Sequence, residues 1–214
     1  IEATLAFLEE QEKKEKMTVI EALRFGLGVE REDGIIPVME FSATGWLRQL
    51  LEANSHKMEN IPVPENFKGD LRTYQQEGLT WLWFFAQAGI GSCLADDMGL
   101  GKTIQFLTLL QYERANVETV YPTLLIVPMS ILDNWQREAD RFAPELKVYL
   151  HHGPNRLAGS HFIETAKEQD IVLTTYSLAY RDEALFRKVH WGRIALDEAQ
   201  NIKNLATKQT QSVR

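Results

Sequence analysis

The run Leu94-Ala95-Asp96-Asp97-Met98-Gly99-Leu100-Gly101-Lys102-Thr103 leaves few architectures open to this chain. Ser92 to Ala95 reads as a short buried strand, and Gly99 and Gly101 make a tight turn. Thr103 to Leu110 then places Ile104, Phe106, Leu107, Leu109 and Leu110 at helical spacing. A strand that empties through such a turn into a helix aims backbone N–H groups, the positive helix end and one ammonium at one small volume. That volume suits a triphosphate, with Met98, Gly99, Leu100 and Gly101 as the cradle. Lys102 reaches the β- and γ-phosphates, and Thr103 offers its hydroxyl to Mg²⁺. The general phosphate-loop pattern has glycine five residues before Gly101, where this chain has Asp96.

A second half-site follows. Trp191 to Leu196 is an apolar strand candidate that ends in Asp197-Glu198. Parallel sheets gather ligands at the carboxyl ends of their strands. Asp197 is placed to hold Mg²⁺ through water, and Glu198 to orient and deprotonate an attacking water. Lys102, Asp197 and Glu198 are therefore the expected catalytic residues, with Thr103 and Asp197 as the metal-holding pair.

Between the two half-sites the chain alternates. Thr123 to Val127 reads as a buried strand ending at Pro128, and Ile131 to Phe142 as a helix with Leu132, Trp135, Ala139 and Phe142 on one stripe. Lys147 to His152, Asp170 to Tyr176 and Trp191 to Leu196 read as further strands, with helices over 162–168 and 182–189. Five short apolar strands separated by helices predict an α/β fold with a mostly parallel sheet covered on both faces. The polar loop 153–160 is expected at the surface. The aromatic cluster Trp81, Trp83, Phe84 and Phe85 is expected on the buried side of a helix that follows Gln75.

These segments, in this order, resemble the first ATPase lobe of the Swi/Snf-type chromatin-remodelling and DNA-translocating proteins of helicase superfamily two. The resemblance is carried by Leu71 to Gly78, by Asp96 to Thr103, and by Leu125 to Ser130 continuing through Asn134-Trp135. Val172 to Tyr176 and Asp197-Glu198-Ala199-Gln200, with Ile202-Lys203-Asn204, complete the series. It runs from about Phe67 to the end, and aspartate at position 96 is the family's usual form. Gln200 stands where the family more often has histidine. The resemblance implies a RecA-like P-loop lobe that uses ATP and Mg²⁺, with Gln75 and Arg72 reading the adenine. It further implies that Ser130, His152, Gly153, Thr174 and Thr175 face the sugar-phosphate backbone of double-stranded DNA. Residue chemistry leaves other roles open: Ser130 as a helix N-cap, Thr174 and Thr175 as β-formers at a strand end, Gln75 as a surface helix residue.

Charge limits what the lobe can do alone. Residues 1–66 hold 7 basic against 13 acidic side chains, and 67–214 hold 16 against 17. Affinity for a duplex comes mostly from neutralised phosphates, so a near-neutral lobe binds it weakly and a second lobe must supply the rest. Cys93, the single cysteine, excludes an internal disulfide and fits a reducing compartment, with its thiol packed in the strand before the loop. His56, His151, His152, His161 and His190 show no metal-ligand spacing. No apolar run of about 18 residues is present, so no membrane is expected, and a bacterial or archaeal cytoplasm or a nucleus is.

Residues 1–60 read as the end of an associated region: a charged helix over 1–16, a capping box at Thr18 and Glu21, a short edge strand over 35–41 and a short helix over 45–51. Residues 61–66 form a proline-stiffened linker and 67–214 the ATPase lobe. The family's threonine-rich coupling motif and second lobe have no counterpart here. The lobe alone is thus expected to bind ATP·Mg weakly and hydrolyse it very slowly. For the full protein the expected activity is ATP-driven translocation on double-stranded DNA or remodelling of protein–DNA complexes, with a protein partner. A nucleotide-gated clamp that does not travel and a strand-separating helicase are the alternatives.

Overall fold

The structure, a computed structural model, describes residues 60–87, 89 and 91–202. They belong to the second of the two units into which the chain divides, Met58–Arg214. The elements expected over 1–51 lie outside the described residues.

Four strands form one sheet: β1 (Thr123–Val127), β2 (Val148–Leu150), β3 (Ile171–Thr175) and β4 (Arg193–Leu196), in the order β2-β3-β1-β4. Every pairing is parallel, with Thr123 opposite both Ile171 and Arg193, and Leu150 opposite Leu173. Among the described residues six helices accompany them: α1 (Thr73–Gln87), α2 (Lys102–Asn116), α3 (Leu132–Phe142), α4 (Gly159–Lys167), α5 (Tyr176–Arg181) and α6 (Glu183–Phe186). Short 3₁₀ turns over Met129–Ile131 and Ala199–Ile202 follow β1 and β4. This is the α/β arrangement expected of a RecA-like lobe.

The central strands are apolar throughout because both faces are covered. Side chains alternate across a strand, so Leu125 and Val127 of β1 enter one core with Leu107, Leu110, Leu132 and Trp135. Leu124 and Ile126 enter the other with Phe162, Tyr176 and Phe186. A third cluster joins α1 to α2 through Leu79, Leu82 and Leu109. The two helices meet closely at Gly78, where a Cβ would stand 2.1 Å from Gln105 Oε1. The aromatic cluster on α1 is half-buried: Trp81 and Trp83 pack against the Leu79, Leu82 and Leu109 core, and Trp83 meets Tyr112 of α2 edge-on at 5.1 Å.

Two expectations fail at the phosphate loop. Ser92 to Ala95 is not a strand, and Cys93 is exposed rather than packed. A strand needs a partner edge, and among the described residues nothing pairs with the outer edge of β4, where Ile194 is 52 % exposed. Among the described residues the sheet has four strands where the apolar runs suggested five.

The helix α2 runs opposite to the strands. Arg193, at the start of β4, forks onto Glu113 near the end of α2 at 2.9 and 2.6 Å. Arg114 beside it bonds Asp170, just ahead of β3, and the Glu145 carbonyl. From Glu113 back to Lys102 a helix rises about 16 Å. From Arg193 to Asp197 a strand advances about 13 Å. The start of α2 and the end of β4 are thus carried to the same edge of the sheet.

Candidate functional site

Backbone geometry at the loop explains its glycines. Gly99 has φ 82° and Gly101 φ 81°, the left-handed region that side chains resist. At Gly101 a Cβ would also lie 2.5 Å from Gln75 Nε2. Gln75 is buried and fully engaged: its carbonyl accepts from the Arg72 N–H at 2.9 Å, and its amide donates to the Leu100 carbonyl at 3.0 Å. Tyr74 donates its hydroxyl to the same carbonyl at 3.0 Å. The start of α1 thus holds the loop from behind, while the Arg72 side chain is exposed.

Asp96 also gains a reason. Its carboxylate accepts from Gln105 Nε2 at 3.2 Å, tying the loop to α2 in a way glycine could not. Lys102 donates to the carbonyls of Asp96 and Asp97 at 2.6 and 2.9 Å. Loop carbonyls receive an ammonium that can turn outward to an anion carrying stronger acceptors. Thr103 is half-buried on the first turn of α2, and Met98 is 83 % exposed at the loop tip.

At the end of β4, Asp197 is held on four sides. Its N–H donates to the Ile126 carbonyl at 2.9 Å, continuing the β1–β4 ladder. The Trp135 indole N–H donates to Oδ2 at 2.7 Å and the Glu198 N–H to Oδ1 at 2.8 Å. The Tyr176 hydroxyl donates to the Asp197 carbonyl at 2.7 Å. Burial, and then the charges of Asp197 and Glu198, push that phenol up to about 12, so it remains a donor at neutral pH. Glu198 has φ 50°, a left-handed conformation costing a non-glycine residue about 1–2 kcal/mol. The turn sets its side chain off from Asp197, and Gln200 donates its amide to the Glu198 carboxylate. A ring contact joins this half to the other: Phe106, one turn into α2, meets Trp135 edge-on at 6.1 Å.

The ammonium, the hydroxyl and the two carboxylates form a donor set suited to Mg²⁺ and a triphosphate. Among the described residues no group of three or more His, Cys, Asp or Glu forms a metal cluster, and no helix is long and apolar enough to cross a membrane.

The loops after β1 and β2 reach the same sheet edge. Ser130 is exposed in the 3₁₀ turn and caps nothing, since no side chain caps α3, whose N-cap is Ile131. His152 is half-buried, and Gly153 has φ 83° with open space around it. The two threonines are buried. Thr174 is fully buried, donating to the His151 carbonyl at 3.1 Å, and Thr175 is 5 % exposed, its hydroxyl accepting from the Leu178 N–H to cap α5. The Thr174 donor is spent inside the protein, whereas the Thr175 hydroxyl accepts and keeps its own O–H; both shape the turn after β3.

Residues 74–214 match the model of the SNF2-related domain. The chain belongs to the SNF2-related family. A Bacillus subtilis protein described as a putative ATP-dependent helicase/translocase, YwqA, is 45% identical over 179 residues, 82% of this chain and 19% of that protein. Helicase SWR1 of Saccharomyces cerevisiae is 38% identical over 156 residues, 72% of this chain and 10% of that protein. The Sulfolobus solfataricus SWI2/SNF2 ATPase core, solved in complex with dsDNA, superposes with a TM-score of 0.63 at 40% identity over 72% of this chain and 31% of that one. This SNF2-related chain therefore spans about a fifth or less of the curated relatives and a third of the solved core.

Several structural residues of this SNF2-related lobe carry no sequence signal of their role. His151 is fully buried, with Nε2 2.9 Å from Asp182. Arg156 forks onto the same carboxylate at 2.7 and 3.2 Å and donates to the Gly153 carbonyl at 3.1 Å. This clamp fixes the loop that presents His152 and Gly153. Burial lowers the His151 pKa against the pull of Asp182, while the Arg156 hydrogen bond holds Asp182 below the usual carboxylate range.

Proposed function

We propose that this chain is the nucleotide-binding lobe of an ATP-driven motor acting on double-stranded DNA. The observation that carries the reading is the delivery of the Lys102-Thr103 helix start and the Asp197-Glu198 strand end to one sheet edge, by an antiparallel α2 pinned through Arg193 and Glu113. Lys102 binds the β- and γ-phosphates with the backbone of Met98, Gly99, Leu100 and Gly101, and Arg72 and Gln75 line the adenine side. Thr103 and Asp197 hold Mg²⁺, which neutralises charge on the phosphate oxygens when bound. Glu198 takes the proton of the attacking water, and Gln200, bonded to its carboxylate, limits the orientations open to it. Lys102 would exchange the loop carbonyls for phosphate oxygens, while Gln75 keeps the loop propped through Leu100.

Ser130, His152 and Gly153 give a backbone track beside the nucleotide, a reading supported by the dsDNA complex of the Sulfolobus relative. Contacts to phosphate position a duplex without reading its bases. Remodelling of a protein–DNA complex and engagement of a protein partner belong to the full-length protein, inside a cytoplasm or a nucleus. The test uses that protein: ATP-dependent displacement of a third strand from a triplex, without unwinding of the duplex, is expected and is lost in Lys102→Ala. Unwound duplex would favour a strand-separating helicase, and duplex-stimulated hydrolysis without displacement a clamp.

A further inference from the structure

We propose that Trp135 and Tyr176 are positioning residues that let a duplex seated beside the site set the orientation of Asp197. The inference rests on the motor reading above and names the residues that would regulate its metal site. Asp197 receives one hydrogen bond from each, at 2.7 Å: the Trp135 indole on the carboxylate and the Tyr176 hydroxyl on the carbonyl. These two side chains come from the elements that begin in the turns after β1 and β3. Trp135 lies on the first turn of α3, directly behind the Met129–Ile131 turn whose Met129 is 61 % exposed. Tyr176 follows Thr175, the cap of α5, with no residue between.

Both rings are buried, at 6 % and 5 % exposure, so neither has room to absorb a shift of its own helix by changing rotamer. A displacement of α3 or α5 then appears at Asp197 as a change in the direction of a carboxylate or of the backbone bearing it. Trp135 touches both halves of the site, because its ring meets Phe106 of α2 while its N–H meets Asp197. With one carboxylate oxygen taken by Trp135 and the other by the Glu198 N–H, the free lone pairs of Asp197 point where these donors leave them.

The test measures coupling, which must be equal in both directions if it exists. In the full-length protein, affinity for Mn²⁺ with a non-hydrolysable ATP analogue is measured by electron paramagnetic resonance, with and without a mixed-sequence duplex. Duplex affinity is read by anisotropy. Wild type should show tightening in the usual coupling range of about 5- to 150-fold. Tyr176→Phe, which removes one hydroxyl, and Trp135→Phe, which removes the donor and keeps a ring, should each bring the factor toward one while duplex affinity without nucleotide stays unchanged. Trp191→Phe is the control, since it also deletes an indole bond, to the Phe186 carbonyl at 2.9 Å, with no tie to Asp197. If Trp135→Phe does not fold, Tyr176→Phe decides. Wild-type coupling retained in folded Tyr176→Phe overturns the inference alone, as does an equal loss in Trp191→Phe. A wild-type protein that shows no coupling overturns the inference, while the displacement assay decides the motor reading separately.

Discussion

Replacing Gly101 with alanine combines two costs that the structure separates. A φ of 81° costs an L-residue about 1–2 kcal/mol. The new Cβ would also stand 2.5 Å from Gln75 Nε2, so the buried amide must leave the Leu100 carbonyl, worth about 1–3 kcal/mol. The sum is about 2–5 kcal/mol. Gly99→Ala isolates the first cost, because its φ is 82° but nothing lies within 4 Å of its Cβ. Urea unfolding of the chain should therefore rank Gly101→Ala below Gly99→Ala by about 1–3 kcal/mol. Adding Gln75→Ala makes room for the methyl, so the double variant should lose less than the two single losses combined. Calorimetry with ATP·Mg should follow the same order. Equal losses at the two glycines, or strict additivity with Gln75→Ala, would refute the claim that Gln75 props the loop through this contact.

Lys102→Ala should abolish most ATP affinity in calorimetry, because one fixed charge and up to three donors vanish together. Unchanged affinity would place the phosphates elsewhere. Glu198→Gln should keep nucleotide binding and stop turnover, so the full-length protein retains ATP on a filter; hydrolysis at the wild-type rate would assign the base to another residue. The clamp gives a pH dependence with a definite sign. His151 is depressed, so below about 6.5 the unfolded chain takes up the proton first and stability falls with pH, by at most about 1.4 kcal/mol per unit. Asp182 is depressed as well, and its contribution, present above about 3.9, is lost in the same direction at lower pH. His151→Gln should flatten the slope just below about pH 6.5 in thermal melts; an unchanged slope would assign it to other groups.

Elements whose pattern is complete within a few residues are legible in the sequence. The apolar runs of β1 and β3 and the stripe of α3 are found where they read, because each buries residues that its own periodicity selects. What depends on a neighbour is not legible. Ser92 to Ala95 has the composition of a strand, yet a strand also needs a paired neighbour, and these residues pair with none of the described strands. Thr174 looks like a surface hydroxyl until the β2–β3 register puts the His151 carbonyl beside it. The clamp joins His151 to a carboxylate 31 residues away, a separation that carries no local signal. The site shows the same division. Lys102, Thr103, Asp197 and Glu198 are proposed from residue type, because phosphate and metal chemistry restrict it, whereas the parts that hold them in place obey packing.

Trp135 illustrates how far a sequence argument can reach. Its stripe marks it as core, and a buried indole N–H requires an acceptor, so the sequence alone announces that some oxygen must enter that core. It cannot say which, because the answer is 62 residues downstream and is decided by the parallel pairing of Ile126 with Leu196. That pairing ends β4 one residue before Asp197 and brings its carboxylate over α3. A core tryptophan therefore becomes a ligand of the site's own acid, and losing its N–H would leave the packing largely in place while freeing the carboxylate to turn.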